Sequence, residues 1–470
     1  MRYRLDRSVR RRQRGRVLLG GSPTRLVRLT EVGAELVRRI AAGDEVRSTR
    51  GVDALVGRLL DAGMLHPDPS RADAPFTVSD VTLVVPVRDR PHELSRLLAA
   101  LHDTAAGAAV LVVDDGSAVP VGERPGTRVV RHDTSRGPAA ARNAGAAAAR
   151  TALVAFVDSD CVPTDGWLEP LLGHFADPRV VAVAPRIAAL PPSGRAPSPG
   201  TLEGYEQVRS PLDLGGEPGR VSPGTRISYV PAAALVVRAE ELARLGGFDE
   251  SMRYGEDVDL VWRFVAEGHR VRYEPRSVVH HEARATLRDW LHQRVAYGTS
   301  AAELDRRHPG SVPPVVVSPT SAALWALAAL GHPVLAAGVG AGTLVMTAQR
   351  LPDVHPLDAA RLGATGHLAA GRQLAVAVVR DWWPLALPLA MVDRRARRLT
   401  AAAVGVTALG AYAQHRRAER SGDAMVGQLP RPAAFVGLAL LDHAAYGAGV
   451  WLGCARRGSL RALLPRRPRR

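Results

Sequence analysis

The sequence predicts an α/β protein, with a mostly parallel sheet covered by helices on both faces. A small winged-helix-like module is expected before it and a helical region after it. Three observations carry this. Between residues 80 and 280, short apolar runs ending in polar residues alternate with helix-like segments, the pattern of strands buried on both faces. Residues 1–75 hold two amphipathic stretches behind a strand-like run. Residues 306–470 are rich in Ala and Arg, with apolar stretches set between arginine clusters. Three domains follow, at 1–75, 76–305 and 306–470.

In the first region, LTEVGAELVRRIAAG (29–43) places apolar residues at helical spacing, and Gly43 can stop the helix. VDALVGRLLDAGMLHP (52–67) is a second amphipathic stretch, and GRVLLGG (15–21) in front reads as a strand. The polar run DPSRADAP (68–75) reads as the linker out of the module.

In the central region the strands are VTLVVPV (81–87), AVLVVDDGS (109–117), RVVRH (128–132) and LVAFVDSD (153–160). HELSRLLAALHDT (92–104) and PAAARNAGAAAAR (138–150) are the helices between them. Ligands of such sheets bind beyond the carboxyl ends of the strands. Pro86, Asp114, Asp115, Asp158 and Asp160 all sit at such ends and are expected along one edge.

These residue types have definite chemistry. Asp158 and Asp160 are alternate residues at a strand end, where side chains point the same way. Their carboxylates can converge on one Mg²⁺ or Mn²⁺, hard cations that prefer oxygen. Asp114 and Asp115 precede Gly-Ser, where an acidic pair commonly makes a turn; the functional reading gives Asp115 a uracil N–H to accept. Glu256 and Asp257 open a helix-like stretch behind Gly246, Gly247 and Gly255. Acids there can simply complement a helix dipole, or Asp257 can act as general base on an acceptor hydroxyl. His280 and His281 end a strand-like run, and His281 is the candidate third metal ligand. Arg294 and Tyr297 follow in DWLHQRVAYG (289–298), either covering the site or capping a helix. Asn143 is the one asparagine of the chain, flanked by Arg136 and Arg142, candidates for base or phosphate contacts. A cation site with a positioned base is what moving a sugar from a nucleotide carrier requires.

From Pro309 to Gln349 there is no Asp, Glu, Lys or Arg, long enough for a membrane-spanning helix of about 20 residues. Further apolar stretches lie at 399–413 and at 433–455, the latter carrying Asp442. DRRARR (393–398) and PRRPRR (465–470) would be drawn to an anionic leaflet. Membrane contact and a buried helical subdomain both fit this region. The net charge of +16 is carried by 62 arginines without a lysine, a mark of GC-rich coding. Those arginines are spread along the chain rather than gathered on a recognition helix, which argues against nucleic acid as partner. No G-x-G-x-x-G follows the first strand of the central region, against a dinucleotide oxidoreductase. Cys161 and Cys454 make no disulfide framework, and MRYRLDRSVRRRQRGR has no apolar run behind it. A cytoplasmic protein is expected, in contact with the inner face of the membrane if the apolar tail docks there.

With these residues in place, the centre of the chain resembles the family 2 glycosyltransferases of GT-A fold. The matching pieces are VTLVVPVRDR, VVDDGS, GPAAARNAG, FVDSDC and GGFDE…GEDVDLVWR, in that order over roughly 80–300. The resemblance implies an inverting, metal-dependent transfer from a nucleoside diphosphate sugar. By position it implies that Pro86, Arg88 and Asp115 hold the nucleotide, that Asp158 and Asp160 serve ribose and metal, and that Asp257 is the base. The layout, with GRVLLGGSPTRLVRLTEVGAELV in front, is similar to a PqqD-like peptide-recognition module fused to such an enzyme, as in the mycofactocin-system glycosyltransferases. That implies glucose units, from UDP-glucose, added to a peptide-derived redox cofactor precursor. A membrane-associated transferase making a cell-envelope glycan or glycolipid would use the same core. QRVAYG (293–298) only loosely echoes the Q-x-x-R-W of processive synthases, so a few sequential additions fit better than long polymerisation.

Overall fold

A computed structural model describes residues 2–68, 74–190, 201–284, 286–352, 354–421 and 429–468; most of the linker expected at 68–75 lies outside them. The described residues divide into two compact units, Met1–Pro191 with Arg209–Ala283, and Pro192–Val208 with Arg284–Arg470.

The first unit opens with β1 (Arg2–Leu5), β2 (Arg10–Arg12), β3 (Val17–Gly20) and β4 (Arg25–Arg28), then α1 (Glu31–Ala41), α2 (Arg50–Asp61) and β5 (Leu65–Asp68). β2, β3 and β4 form one antiparallel sheet and β1 pairs with β5. Both helices start where the sequence supplies a capping hydroxyl. Thr30 accepts from Gly33 N at 3.1 Å and Thr49 from Val52 N at 3.3 Å. Their apolar faces close a small core around Leu18, Val37, Ile40, Leu59 and Met64. The module is fixed to the central domain through Asp61 at the end of α2. Its carboxylate accepts from Arg270 Nε at 2.9 Å and from Arg179 Nη1 at 3.2 Å.

The central domain runs β6 (Val81–Val87), α3 (Pro91–Thr104), β7 (Ala109–Asp115), β8 (Thr127–His132), α4 (Pro138–Ala148), β9 (Leu153–Val157), β10 (Cys161–Pro163), α5 (Glu169–Leu172) and β11 (Val180–Ala189). After α6 (Thr201–Arg209), which belongs almost wholly to the second unit, come β12 (Gly219–Val221), β13 (Ala234–Arg238), α7 (Ala239–Arg244), α8 (Glu256–Ala266) and β14 (Arg270–His281). The sheet order is β10-β14-β11-β13-β9-β6-β7-β8, with β12 on β14. β6 to β9, β11 and β14 run one way; β10, β12 and β13 run against them. The all-apolar runs become the central strands because both faces are covered: every residue of β9 is buried. The carboxyl ends of β6, β7 and β9 therefore share one edge, joined by the amino end of antiparallel β13.

The second unit is helical: α9 (Leu287–Arg307), α10 (Pro319–Ala329), α11 (Pro333–Arg350), α12 (Pro356–Arg380), α13 (Trp383–Val392), α14 (Arg394–Ser421) and α15 (Pro432–Arg457). The sequence reading ends the central domain at 305, whereas the contacts give α9 to this unit. The reason is close packing on α15. A Cβ on Gly298 would lie 2.1 Å from Tyr446 O, and one on Gly449 would lie 2.0 Å from Val295 O, so small residues let the two backbones touch. Asp442, an oddity in an apolar stretch, accepts from Arg294 Nε at 3.0 Å and from Tyr205 at 2.8 Å within the unit. Arg294 also bonds buried Glu206; its donors are spent on structure. The uncharged stretch at 309–349 is not one helix. Gly331, at φ +80°, and Pro333 break it into α10 and α11. Among the described residues, α15 alone is long and apolar enough to cross a membrane, and α12 with α13 passes as a pair bent by 86°.

Candidate active site

Two aspartates from distant parts of the chain meet at the leading end of β13. Asp158 follows β9 and its N–H donates to Ala233 O at 2.9 Å. Asp257, in the first turn of α8, accepts from Ala232 N at 3.2 Å and from its neighbour Val258 N at 2.8 Å. Main-chain atoms of two adjacent residues, Ala232 and Ala233, thus hold the two. Between them lies Arg142 of α4, buried, with Nη2 on Asp158 at 2.7 Å and Nη1 on Glu256 at 2.8 Å. Its guanidinium also stacks on the Phe248 ring, 5.6 Å from the centroid.

The electrostatics follow from this packing. Burial first, and then the adjacent Asp257 charge, pushes Glu256 up to about 7, with Arg142 opposing. Burial also raises Asp257, again opposed by Arg142 and by the two backbone donors, while the Asp158 charge adds to the rise. A carboxylate whose proton affinity is raised is a better base than a free one, which is what an acid–base role needs. The sequence offers Arg142 as a base or phosphate contact; the structure instead makes it the counter-ion of the acidic cluster, because α4 packs on β6 and β7 and its long side chain reaches Asp158 and Glu256 together.

Asp158 and Asp160 engage different partners, Asp158 taking Arg142 and Asp160 taking Arg90. β9 stops at Val157, and Asp158 to Asp160 form a turn closed by Cys161 N on Asp158 O at 3.0 Å, so the strand alternation assumed from sequence has already ended. Asp160 accepts from Arg90 Nη1 at 2.7 Å, and its other oxygen lies 3.5 Å from His281 Nε2. The antiparallel pairing of Cys161 with His281 brings that histidine in, while His280 approaches Ala189 O at 3.3 Å. Among the described residues no three His, Cys, Asp or Glu side chains group closely enough to hold a metal alone. Asp160 and His281 nevertheless form an oxygen and nitrogen pair that suits a hard cation completed by a ligand's phosphates.

The Asp114–Asp115 pair divides its labour. Asp114 makes the turn, accepting from Ser117 N at 2.9 Å and Val121 N at 3.1 Å, and also pairs with Arg131. Asp115 is given a uracil N–H by the sequence reading, but its oxygens are already committed. Oδ1 accepts from Arg136 N at 2.9 Å and meets His132 Nδ1 at 2.8 Å; Oδ2 accepts from Ser135 Oγ at 2.7 Å and Gly137 N at 2.9 Å. Four partners fill a carboxylate's acceptor positions, so Asp115 shapes the 132–137 loop. That loop presents Arg136, whose exposed side chain bonds Glu250 at 3.0 Å. Pro86 lies in β6 opposite Val113, and Arg88 just beyond it is exposed, 3.4 Å from Asp89.

Asn143 clamps the loop before α8. Its Oδ1 accepts from Phe248 N at 2.8 Å and its Nδ2 donates to Phe248 O at 2.8 Å and to Glu250 at 3.1 Å. Three contributors escape the sequence reading. Arg90 and His132 are ordinary polar residues until folding brings them to Asp160 and Asp115. Asp89 adopts φ +53° and joins the loops after β6 and β7, donating its N–H to Ser117 Oγ at 3.0 Å and accepting from Ala118 N at 2.8 Å. The RDR tripeptide at a strand end is the one signal for it.

The family described as "Glycosyl transferase family 2" matches residues 82–224, the stretch that supplies β6, β7 and β9 of this edge. Fold and site together define a glycosyltransferase of family 2 with the GT-A architecture. Over 98% of its length the chain is 41% identical to the pre-mycofactocin glycosyltransferase of Mycobacterium tuberculosis (strain CDC 1551 / Oshkosh), covering 96% of that protein. It belongs to the pre-mycofactocin glycosyltransferase family. The succinoglycan biosynthesis protein ExoU of Rhizobium meliloti is 29% identical over 41% of this chain and 59% of its own. Among solved structures, a mannosyltransferase of Pyrobaculum calidifontis in complex with GDP-Man and Mn²⁺ is 21% identical. The match covers 64% of this chain and 82% of that one, with a TM-score of 0.38.

Proposed function

We propose that this enzyme transfers glucose from UDP-glucose to pre-mycofactocin, a peptide-derived redox cofactor precursor, with inversion and in a few successive additions. The acceptor class follows from the relative's name and its near full-length match. The observation that carries the chemistry is the meeting of Asp158, Glu256 and Asp257 around Arg142.

In this reading the nucleotide lies along the carboxyl ends of β6, β7 and β9, against Pro86, Arg88, Arg136 and Asp158, with Asp115 holding the loop that carries Arg136. Asp160 and His281 would hold Mn²⁺ or Mg²⁺, which when bound neutralises charge on the departing diphosphate. Asp257 takes the proton of the acceptor hydroxyl as its oxygen bonds to the anomeric carbon. The bond from that carbon to the diphosphate oxygen breaks, and UDP leaves on the opposite face, so the configuration inverts. Arg142 keeps the three acids together without consuming the base, since Asp257 itself accepts only backbone donors. We place the enzyme in the cytoplasm at the inner face of the membrane, in keeping with the exposed apolar side chains of the helical unit.

The test is incubation with UDP-glucose, Mn²⁺ or Mg²⁺ and pre-mycofactocin, followed by mass spectrometry. Successive hexose additions that require the cation are expected, and an unmodified acceptor with consumed donor would overturn the acceptor assignment.

A further inference from the structure

α13 is ten residues, WPLALPLAMV, without a charge and without one buried residue. Trp383 anchors its start, donating Nε1 to Ala444 O at 3.1 Å, but beyond it Leu385, Leu387 and Leu389 are exposed, and an exposed apolar stretch of this kind needs a non-aqueous partner. At its end Met391 and Val392 are 78% and 82% exposed, next to exposed Leu389. The turn between α10 and α11 behaves alike, with Leu330 and Leu335 exposed and Val334 exposed to 82%.

Arginines bring these two tips together. A methyl on Gly331, in the α10–α11 turn, would lie 2.9 Å from Arg395 Nη2. Arg397 donates to Ala390 O, on α13, at 3.1 Å. Arg394 and Arg398 are exposed beside them, and none of the four has a carboxylate partner among the described residues. Two apolar tips thus share one collar of positive charge. A ten-residue helix is about 15 Å long, half of the roughly 30 Å hydrocarbon core, so it can enter a leaflet but not cross the bilayer.

We infer that the α10–α11 turn and α13 form one wedge that inserts into the surface of an anionic lipid bilayer, with Arg394, Arg395, Arg397 and Arg398 on the headgroups. This rests on the membrane reading above and names the element responsible. The charge of the collar favours anionic lipid over a second copy of this strongly basic chain.

The experiment is flotation of the purified full chain with vesicles of phosphatidylcholine, or of phosphatidylcholine and phosphatidylglycerol in equal parts. Binding is expected to the mixed vesicles only and to weaken with salt. Met391→Glu with Val392→Glu should lower it at least tenfold. Changing the four arginines to serine should lower it more than a hundredfold. Val32→Glu, at an equally exposed site on α1, should leave it unchanged. All these side chains are exposed, so an unaltered melting temperature separates lost binding from lost folding. Wild-type flotation that survives in both the glutamate and the serine variants would overturn the wedge while leaving membrane association standing. Absence of flotation by the wild type would overturn both. A wild-type dimer that Val392→Glu dissociates, without vesicle binding, would assign the surface to self-association instead.

Discussion

Asn143 and Gly247 occupy adjoining space that no larger residue can enter: a Cβ on Gly247 would lie 2.5 Å from Asn143 Oδ1, and Gly247 itself sits at φ +72°. The amide can therefore reach Phe248 and hold the loop that delivers Asp257. Gly247→Ala adds both overlap and backbone strain, and should cost about 1–3 kcal/mol, read as a lowered melting temperature. Asn143→Ala leaves both main-chain groups of Phe248 unpaired, at a similar cost of about 1–3 kcal/mol. In both variants kcat should fall more than UDP affinity does.

Asp257→Asn keeps size and one of the two backbone contacts but removes the proton acceptor. Transfer should fall by at least about 10²-fold while UDP binding, measured by calorimetry, is retained. Unchanged turnover would reject Asp257 as the base.

The pH dependence has a definite sign. Asp257 and Glu256 both bind protons more tightly than ordinary carboxylates, Glu256 at about 7. Activity should therefore decline as pH falls through a range above that of an ordinary carboxylate. Stability runs the other way. The contribution from the raised Glu256 is fully present below its unfolded value and is lost as pH rises through about 7. Glu256→Gln should move the acid limb of the rate profile downward and flatten this change in stability.

Arg142 is buried among carboxylates, so its removal strands like charges in a poorly solvated place. Arg142→Leu should destabilise the fold by about 3–5 kcal/mol in denaturant titrations. Arg142→Lys keeps a charge but loses the two-armed reach to Asp158 and Glu256, and should restore only part of that loss.

Asp160→Ala and His281→Ala should each weaken UDP binding in the presence of Mn²⁺ and leave the residual binding insensitive to EDTA. UDP affinity that responds equally to EDTA in wild type and both variants would place the cation elsewhere.

The strands were legible because burial on both faces writes continuous apolar runs, and the edge that gathers Asp114, Asp115, Asp158 and Asp160 follows from strand polarity. What the sequence hid was set by folding over long separations. Arg142 and Glu256 are 114 residues apart, as are Arg136 and Glu250, and nothing local marks one arginine as a counter-ion and another as an exposed contact. Strand alternation does not extend to Asp158 and Asp160, because β9 ends at Val157 and a turn carries both residues. In the 309–349 stretch the charge-free length left a span and a buried subdomain both open, and Pro333, already visible in the sequence, is where α11 begins after the break at Gly331.

β13 enters the sheet against the direction of β9, so main-chain atoms of Ala232 and Ala233 fix the spacing between Asp158 and Asp257. Peptide groups are indifferent to which side chain they carry. Substitutions small enough for that crowded position leave the separation of the two acids unaltered, and proline at 232, lacking an amide hydrogen, is the replacement that erases it.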